Sequence, residues 1–341
     1  MTKPVEIGQV GLGAWGKNLL RNFSSLNKCH VKMACDFNDA QCAKASETFR
    51  GISLTTKYED ILNDNKIEAV VIATPPAMHY KMAAQAIESG KDVFVEKPLV
   101  LNLDEGKKLV ELAAKKERIL MVGHIMEYHP TTLFLKKYID DGTLGEIYYL
   151  YSSRINLGKV RDIENSLWSF APHDISIIMF LLDKYPVRVT ANGSSYLQKN
   201  IEDVCFMTMH FNDKTMAHVH VSWLDPHKER KLTIVGSKKM VVFDDTRTSE
   251  KIWLYDKGVD TALDYSTYAE YFNLRIGDIT IPRVPGGEPL KLECSHFIES
   301  VQKRSRPRSD GIDGLKVLTV LQAAQSSLEK GGTPVDVPSY K

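Results

Sequence analysis

The sequence Gly11-Leu12-Gly13-Ala14-Trp15-Gly16 follows a short apolar run, Val5–Val10, and opens a segment with helical spacing over residues 14–26. It is a G-x-G-x-x-G between a predicted strand and a predicted helix. In such a turn Gly11 permits the tight bend, and Gly13 lets backbone N–H groups approach a pyrophosphate. Gly16 lets helix and strand pack closely, while the helix N-terminus, with Ala14 and Trp15, faces the anion. The pattern alone is common, and glycines can serve a tight turn without any ligand. A second residue supports the ligand: Asp36 ends the next predicted strand, twenty residues beyond Gly16. A carboxylate there can accept hydrogen bonds from both adenosine ribose hydroxyls. No Arg or Lys follows within five residues to neutralise a 2′-phosphate. The expected cofactor is NAD, not NADP.

Outward from this loop the chain alternates strand and helix as far as residue 124. Apolar runs at 31–35, 69–73, 93–95 and 119–122 are separated by helical patterns over 38–49, 77–89 and 103–117. The run at 69–73, AVVIA, shows no polar alternation, as expected for a strand covered on both faces. This repetition specifies right-handed crossovers and a parallel, doubly wound sheet. Beyond Gly123 the texture changes. A helix over 131–140 leads to an aromatic strand over 145–156 and then to an apolar helix ending near Leu182. Segments at 187–197, 204–212, 216–224, 231–244 and 252–255 are β-rich, and turns such as Asn212-Asp213 and Gly236-Ser237 suggest an antiparallel meander. Helices over 290–303 and 311–329 follow. The expected fold class is α/β: a Rossmann domain over 1–124 and an α+β domain with an open, mainly antiparallel sheet over 125–341, whose C-terminal helix can pack back on the first domain.

Composition excludes several classes. Lys and Arg number 44 against 43 Asp and Glu, a net charge of +1, so no global field attracts nucleic acid or an anionic membrane. No apolar stretch reaches the length of a membrane span, and the N-terminal MTKPVEIGQVGLG enters a strand without a signal-like leader. The cysteines (Cys29, Cys35, Cys42, Cys205 and Cys294) are odd in number and lack paired spacing. They point to reduced thiols in a cytoplasm, with no metal site. The basic run KRSRPR at 303–308 reads as a solvated turn between helices.

Two further segments lie where a doubly wound sheet places its ligands, at the carboxyl ends of strands. Thr74-Pro75-Pro76 follows the 69–73 run, and His79 begins the next helix; Thr74 and Pro75 are expected to touch the cofactor, while His79 reads either as a cofactor contact or as a solvated side chain. Glu96-Lys97-Pro98 follows the 93–95 run. A lysine in a partly desolvated crevice can act as a general base or proton relay, although alone it reads as readily as a solvent-facing turn residue. Arg154, Asn156, Lys159 and Arg161 could bind a diphosphate or form a solvated loop.

The glycine loop, ATPPAMH (73–79), VFVEKP (93–98) and GHIMEYHP (123–130), in this order and spacing, resemble the glucose–fructose oxidoreductase, inositol dehydrogenase and rhizopine-catabolism family over essentially the whole chain. The resemblance implies that Lys97 is the active-site lysine and Glu96 part of the same cofactor-edge segment. It implies too that the β-rich half is a substrate domain whose open sheet mediates assembly as a homodimer or homotetramer. SLWSFAPHDISIIMFLLD (166–183) resembles the segment with the family's catalytic histidine, here His173. VSWLDPHKERKLTIVGSKKMVVFDD (221–245) is similar to the subgroup that oxidises the 3-hydroxyl of UDP-N-acetylglucosamine or its uronic acid. There is one departure. Where the broad family often reads Asp-x-Gly-x-His-x-x-Asp, this chain has Ser169, Ala171, His173 and Ser176, with Asp174 beside the histidine. The missing aspartates tell against inositol and simple sugars.

The sequence therefore predicts an NAD-dependent enzyme that oxidises a ring hydroxyl, expected at C3, of a nucleotide-linked amino sugar. Lys97 and His173 are its catalytic pair, and Arg154, Asn156 and Arg161 are its substrate donors. The alternatives are a dehydrogenase of a free sugar or inositol, a glycosidase that uses transient NAD oxidation, and a non-catalytic dinucleotide sensor, which would need neither Lys97 nor His173.

Overall fold

The computed structural model describes residues 3–261 and 272–340. Six strands, β1 (Val5–Val10), β2 (Cys29–Cys35), β3 (Ser53–Thr55), β4 (Ala69–Ile72), β5 (Asp92–Glu96) and β6 (Leu120–Gly123), form one parallel sheet in the order β3-β2-β1-β4-β5-β6. The direction of winding reverses between β1 and β4, and in such sheets the crevice at that switch point takes the ligand. The connecting helices are α1 (Gly16–Ser24), α2 (Asp39–Thr48), α3 (Tyr58–Asn63), α4 (His79–Glu88) and α5 (Leu103–Lys115). Two of these helices, α2 and α5, start at an asparagine cap. Asn38 accepts from the N–H of Ala40, and Asn102 from those of Asp104 and Glu105. A short 3₁₀ turn, Pro76–Met78, replaces the first turn of the helix expected from residue 77. β3 and α3 were not anticipated; three and six residues are too few to display a period.

The second sheet contains β7 (Ile147–Ile155), β8 (Arg188–Ser194), β9 (Val204–His210), β10 (Met216–Ser222), β11 (Glu229–Gly236), β12 (Met240–Asp244), β13 (Ile252–Thr261), β14 (Phe272–Thr280) and β15 (Val335–Asp336), in the order β14-β13-β12-β11-β7-β10-β9-β8-β15. It is mostly antiparallel, but the expected simple meander is corrected. β7 lies between β11 and β10 and runs parallel to β10, from Tyr149 opposite Met216 to Ile155 opposite Ser222. The chain between β7 and β10 includes α7 (Ser166–Leu182), long enough for the crossover that a parallel pair requires. Helix α6 (Pro130–Asp140) precedes the sheet and packs on α7. Leu150, Ala191, Met207, Met209, Val219 and Val221 face inward and are buried, with Ile175 and Ile178 of α7 buried as well. On the opposite face Tyr149, Tyr151, Phe206 and Met216 are exposed.

Residues up to His129 together with Gly287–Leu318 form one compact unit, and Pro130–Gly286 with the residues from Thr319 onward form the other. Gly287–Leu318 thus returns to the unit that holds the residues up to His129. The reason is α8 (Pro289–Lys303), whose Leu290, Cys294, Phe297, Ile298 and Val301 are buried in the core of the first unit. Phe297 joins Phe23 and Phe94 in three edge-on ring contacts with centroids 5.7–6.2 Å apart. Helix α9 (Gly311–Glu329) follows. All five cysteines are free and buried. Among the described residues no helix is long and apolar enough to cross a membrane.

Candidate active site

The glycine loop leaves β1 and enters α1. Gly11 has φ +94°, and a Cβ there would lie 2.4 Å from the Ala73 carbonyl oxygen. A Cβ on Gly16 would lie 2.1 Å from the Gly11 oxygen. Both positions therefore admit only glycine. Gly13 is different: a Cβ would meet nothing within 4 Å, so the backbone at the loop's crest is open to an approaching ligand. Gln9, fully buried in β1, holds the loop from beneath, its Nε2 donating to the carbonyls of Gly11 at 3.1 Å and Gly16 at 2.7 Å. Sequence reasoning missed Gln9, although a lone amide in an apolar strand was its signal. Asp36 stands just past β2. Its Oδ2 accepts from Leu12 N–H at 2.7 Å and its Oδ1 from Asn38 N–H at 2.9 Å. These bonds orient a carboxylate at the loop while leaving lone pairs for a ribose diol. An open crest, an oriented carboxylate and a helix N-terminus fit a dinucleotide.

At the end of β4, Thr74 is half-buried and Pro75 exposed. His79 is a correction. Its side chain is fully buried, with Nδ1 2.8 Å from the Pro98 oxygen and Nε2 2.9 Å from the Thr74 oxygen. It cannot reach a cofactor; it ties the turn after β4 to the turn after β5. At the latter turn the Lys97–Pro98 peptide is cis and Lys97 is half-buried. Glu96 is nearly buried; its Oε1 accepts from Trp15 Nε1–H at 2.5 Å and its Oε2 from Lys97 N–H at 3.2 Å. Burial pushes the Glu96 carboxyl up to about 7, against the opposing pull of Trp15 and Lys97. Trp15 thus joins the glycine loop to the lysine turn. His124, after β6, is buried with neither ring nitrogen hydrogen-bonded, and burial together with the Lys97 charge lowers its pKa to about 3.

In the second unit His173 lies on α7, half-exposed, immediately after Pro172 within the helix. Proline supplies no N–H, so the Trp168 carbonyl loses its helical donor. Ser169 is buried at 5 % exposure. Arg154 is a second correction. Its Nε donates to Asp174 Oδ2 at 2.7 Å and its Nη2 to Oδ1 at 3.3 Å, and both side chains are largely buried. The guanidinium is clamped by the residue next to His173, so it is a brace for that helix turn and not a free diphosphate donor. Asn156, half-buried just past β7, donates its backbone N–H to Ser222. Arg161 is exposed, 3.8 Å from Glu164. It remains available to a ligand.

Comparison with known proteins bears on these residues. Residues 5–124 match the model of an oxidoreductase family with an NAD-binding Rossmann fold, termed GFO/IDH/MocA, and residues 132–242 match that family's C-terminal domain. The chain belongs to the GFO/IDH/MocA oxidoreductase family. Among GFO/IDH/MocA relatives, it is 27% identical to a scyllo-inositol 2-dehydrogenase (NAD(+)) of Bacillus subtilis, covering 99% of this chain and 97% of that one. It is 25% identical to a 2,7-anhydro-N-acetylneuraminate hydratase of Mediterraneibacter gnavus, over 71% of this chain and 68% of that one. A solved UDP-N-acetylglucosamine 3-dehydrogenase from Acidithiobacillus ferrooxidans superposes with a TM-score of 0.80 at 21% identity, covering 96% and 99% of the two chains. At that identity the likeness is one of fold.

Proposed function

We propose that this protein is an NAD-dependent dehydrogenase that oxidises a ring hydroxyl, at C3, of a nucleotide-linked amino sugar such as UDP-N-acetylglucosamine or its uronic acid, giving a 3-keto sugar. The observation that carries the redox reading is the Trp15–Glu96 bond of 2.5 Å, which joins the cofactor loop to the turn bearing Lys97. Asp36 favours NAD over NADP, since a fixed carboxylate accepts from a ribose diol and repels a 2′-phosphate. NAD supplies the hydride acceptor, and the protein supplies alignment and proton handling. Lys97 orients and polarises the substrate hydroxyl. His173 accepts its proton, imidazole being a side chain that can serve as a base near neutral pH. Arg161 and Asn156 serve the diphosphate. The exposed apolar face with Tyr149, Tyr151, Phe206 and Met216 supports a second copy of this chain as partner, forming a dimer or tetramer, and the compartment is cytoplasmic.

The test is NADH absorbance during incubation with UDP-N-acetylglucosamine, its uronic acid, free N-acetylglucosamine and inositol. Oxidation of the UDP form alone supports the proposal. Equal activity on the free sugar removes the nucleotide from it. The hydratase among the relatives supports one competing reading, in which NAD oxidises the substrate transiently. Consumption of sugar without net NADH would establish that chemistry instead.

A further inference from the structure

Helix α8 runs antiparallel to β5, and two contacts set its register. Arg304, just past the helix, donates to Asp92 at the first residue of β5. The Phe297 ring lies 5.7 Å from that of Phe94. Side chains alternate along a strand, so Phe94 and Glu96 share a face; residues four apart share a helix face, so Glu293 lies one turn beyond Phe297. This register carries Glu293 to the level of Glu96. Glu293 is fully buried, and neither of its carboxyl oxygens has a hydrogen-bond partner.

The groups around this pair are few. Trp15 and Lys97 act on Glu96. Glu293 is faced by Glu96 from β5, by Glu127 from the 3₁₀ turn Ile125–Tyr128, and by the neighbouring thiol Cys294. Glu127 is itself hydrogen-bonded to Asp313 and sees the Arg308 charge. His124 feels Lys97 and is held neutral. A buried carboxylate with no donor and a second carboxyl beside it cannot be ionised together with that neighbour at reasonable cost.

We propose that Glu293 and Glu96 form one buried acid pair holding a single shared proton, and that Glu293, a positioning residue, thereby sets the charge presented to Lys97. Burial raises both carboxyls, and the Glu96 charge raises Glu293 further, in keeping with the pair. With one charge on the pair Lys97 is held as an ammonium; with none, Lys97 releases a proton more readily. The catalytic consequence rests on the dehydrogenase reading, but the pair itself does not.

The experiment is therefore run on the full-length protein without sugar. Infrared titration of the protonated-carboxyl C=O band between about pH 5 and 9 follows the pair, with the Glu127–Asp313 contribution identified from E127Q. The unaltered protein should keep a protonated-carboxyl band at pH 7 that changes in position or intensity in E96Q. In E293Q the Glu96 midpoint should move to acid by about one pH unit or more, a tenfold loss of proton affinity. An unmoved midpoint in folded E293Q overturns the proposal. Should E293Q fail to fold by circular dichroism, E96Q decides: the Glu293 midpoint must fall in it, and an unchanged midpoint is equally fatal. A shifted band in a protein that oxidises no sugar leaves the pair standing and rejects the dehydrogenase.

Discussion

Replacing His124 with leucine should flatten the acid side of the stability profile. The ring is buried, both nitrogens lack hydrogen bonds, and its pKa is lowered to about 3. The unfolded chain restores an ordinary histidine near 6.5. The native state therefore keeps His124 neutral, while below pH 6.5 the unfolded state takes up a proton. Stability is complete above the unfolded pKa and falls as pH drops towards the native one. Each pH unit inside that window is worth about 1.4 kcal/mol, so at pH 5 the loss is about 2 kcal/mol relative to pH 8. Buried carboxyls with raised pKa values, Glu96 and Glu293 among them, contribute a slope of opposite sign, so the total curve alone is uninformative. The comparison that isolates His124 is urea unfolding of the unaltered protein and His124→Leu at pH 8 and pH 5. The variant should lose about 2 kcal/mol less on acidification. Equal losses in both proteins would refute the burial argument.

Other expectations follow from the site. Asp36→Ala should weaken NAD binding about tenfold, or about 1.4 kcal/mol, and lessen discrimination against NADP in a fluorescence titration; tenfold tighter NADP binding by the unaltered protein would contradict the reading of Asp36. His173→Asn should depress kcat about 10²-fold, Lys97→Met should damage turnover with NAD still bound, and Ser169→Ala should be mild. Normal turnover by His173→Asn with a dead Ser169→Ala would redraw the proton path. Asp174→Ala leaves Arg154 buried without its partner and should cost about 3–5 kcal/mol in denaturant unfolding, whereas an exposed ion pair would cost under about 1 kcal/mol. Arg161→Ala should raise KM for the UDP-sugar about tenfold with NAD affinity unchanged.

Much of the first unit could be read from the chain because strands covered on both faces are largely apolar, and the runs at 69–73, 93–95 and 119–122 end at Thr74-Pro75, Glu96-Lys97-Pro98 and Gly123. The glycine loop was legible for a steric reason that the structure makes explicit at Gly11 and Gly16. Long-range pairing was not legible. The parallel join of β7 to β10 depends on a crossover, which local alternation does not encode. The return of α8 was hidden because its buried residues carry the same period whichever sheet they cover. For His79 the deciding partner, the Pro98 carbonyl, lies nineteen residues away. Asp174 offered a hint that was not used: a carboxylate on an otherwise apolar helix implies a buried counter-charge, and Arg154 supplies it.

The place of α8 in the first unit also bears on how the protein is made. The six strands of the parallel sheet leave the ribosome early, but Phe297, the third ring of the Phe23–Phe94–Phe297 trio, is translated only after the whole of Pro130–Gly286. At roughly 5–20 residues per second the nascent cofactor sheet waits on the order of ten seconds with Phe23 and Phe94 uncovered. During that interval β7 to β14 of the second sheet can pair, while β15, at Val335–Asp336, is made only after α8. Each unit thus waits on a segment made late, and a chain cut at His129 is expected to present to chaperones the apolar surface that α8 normally covers.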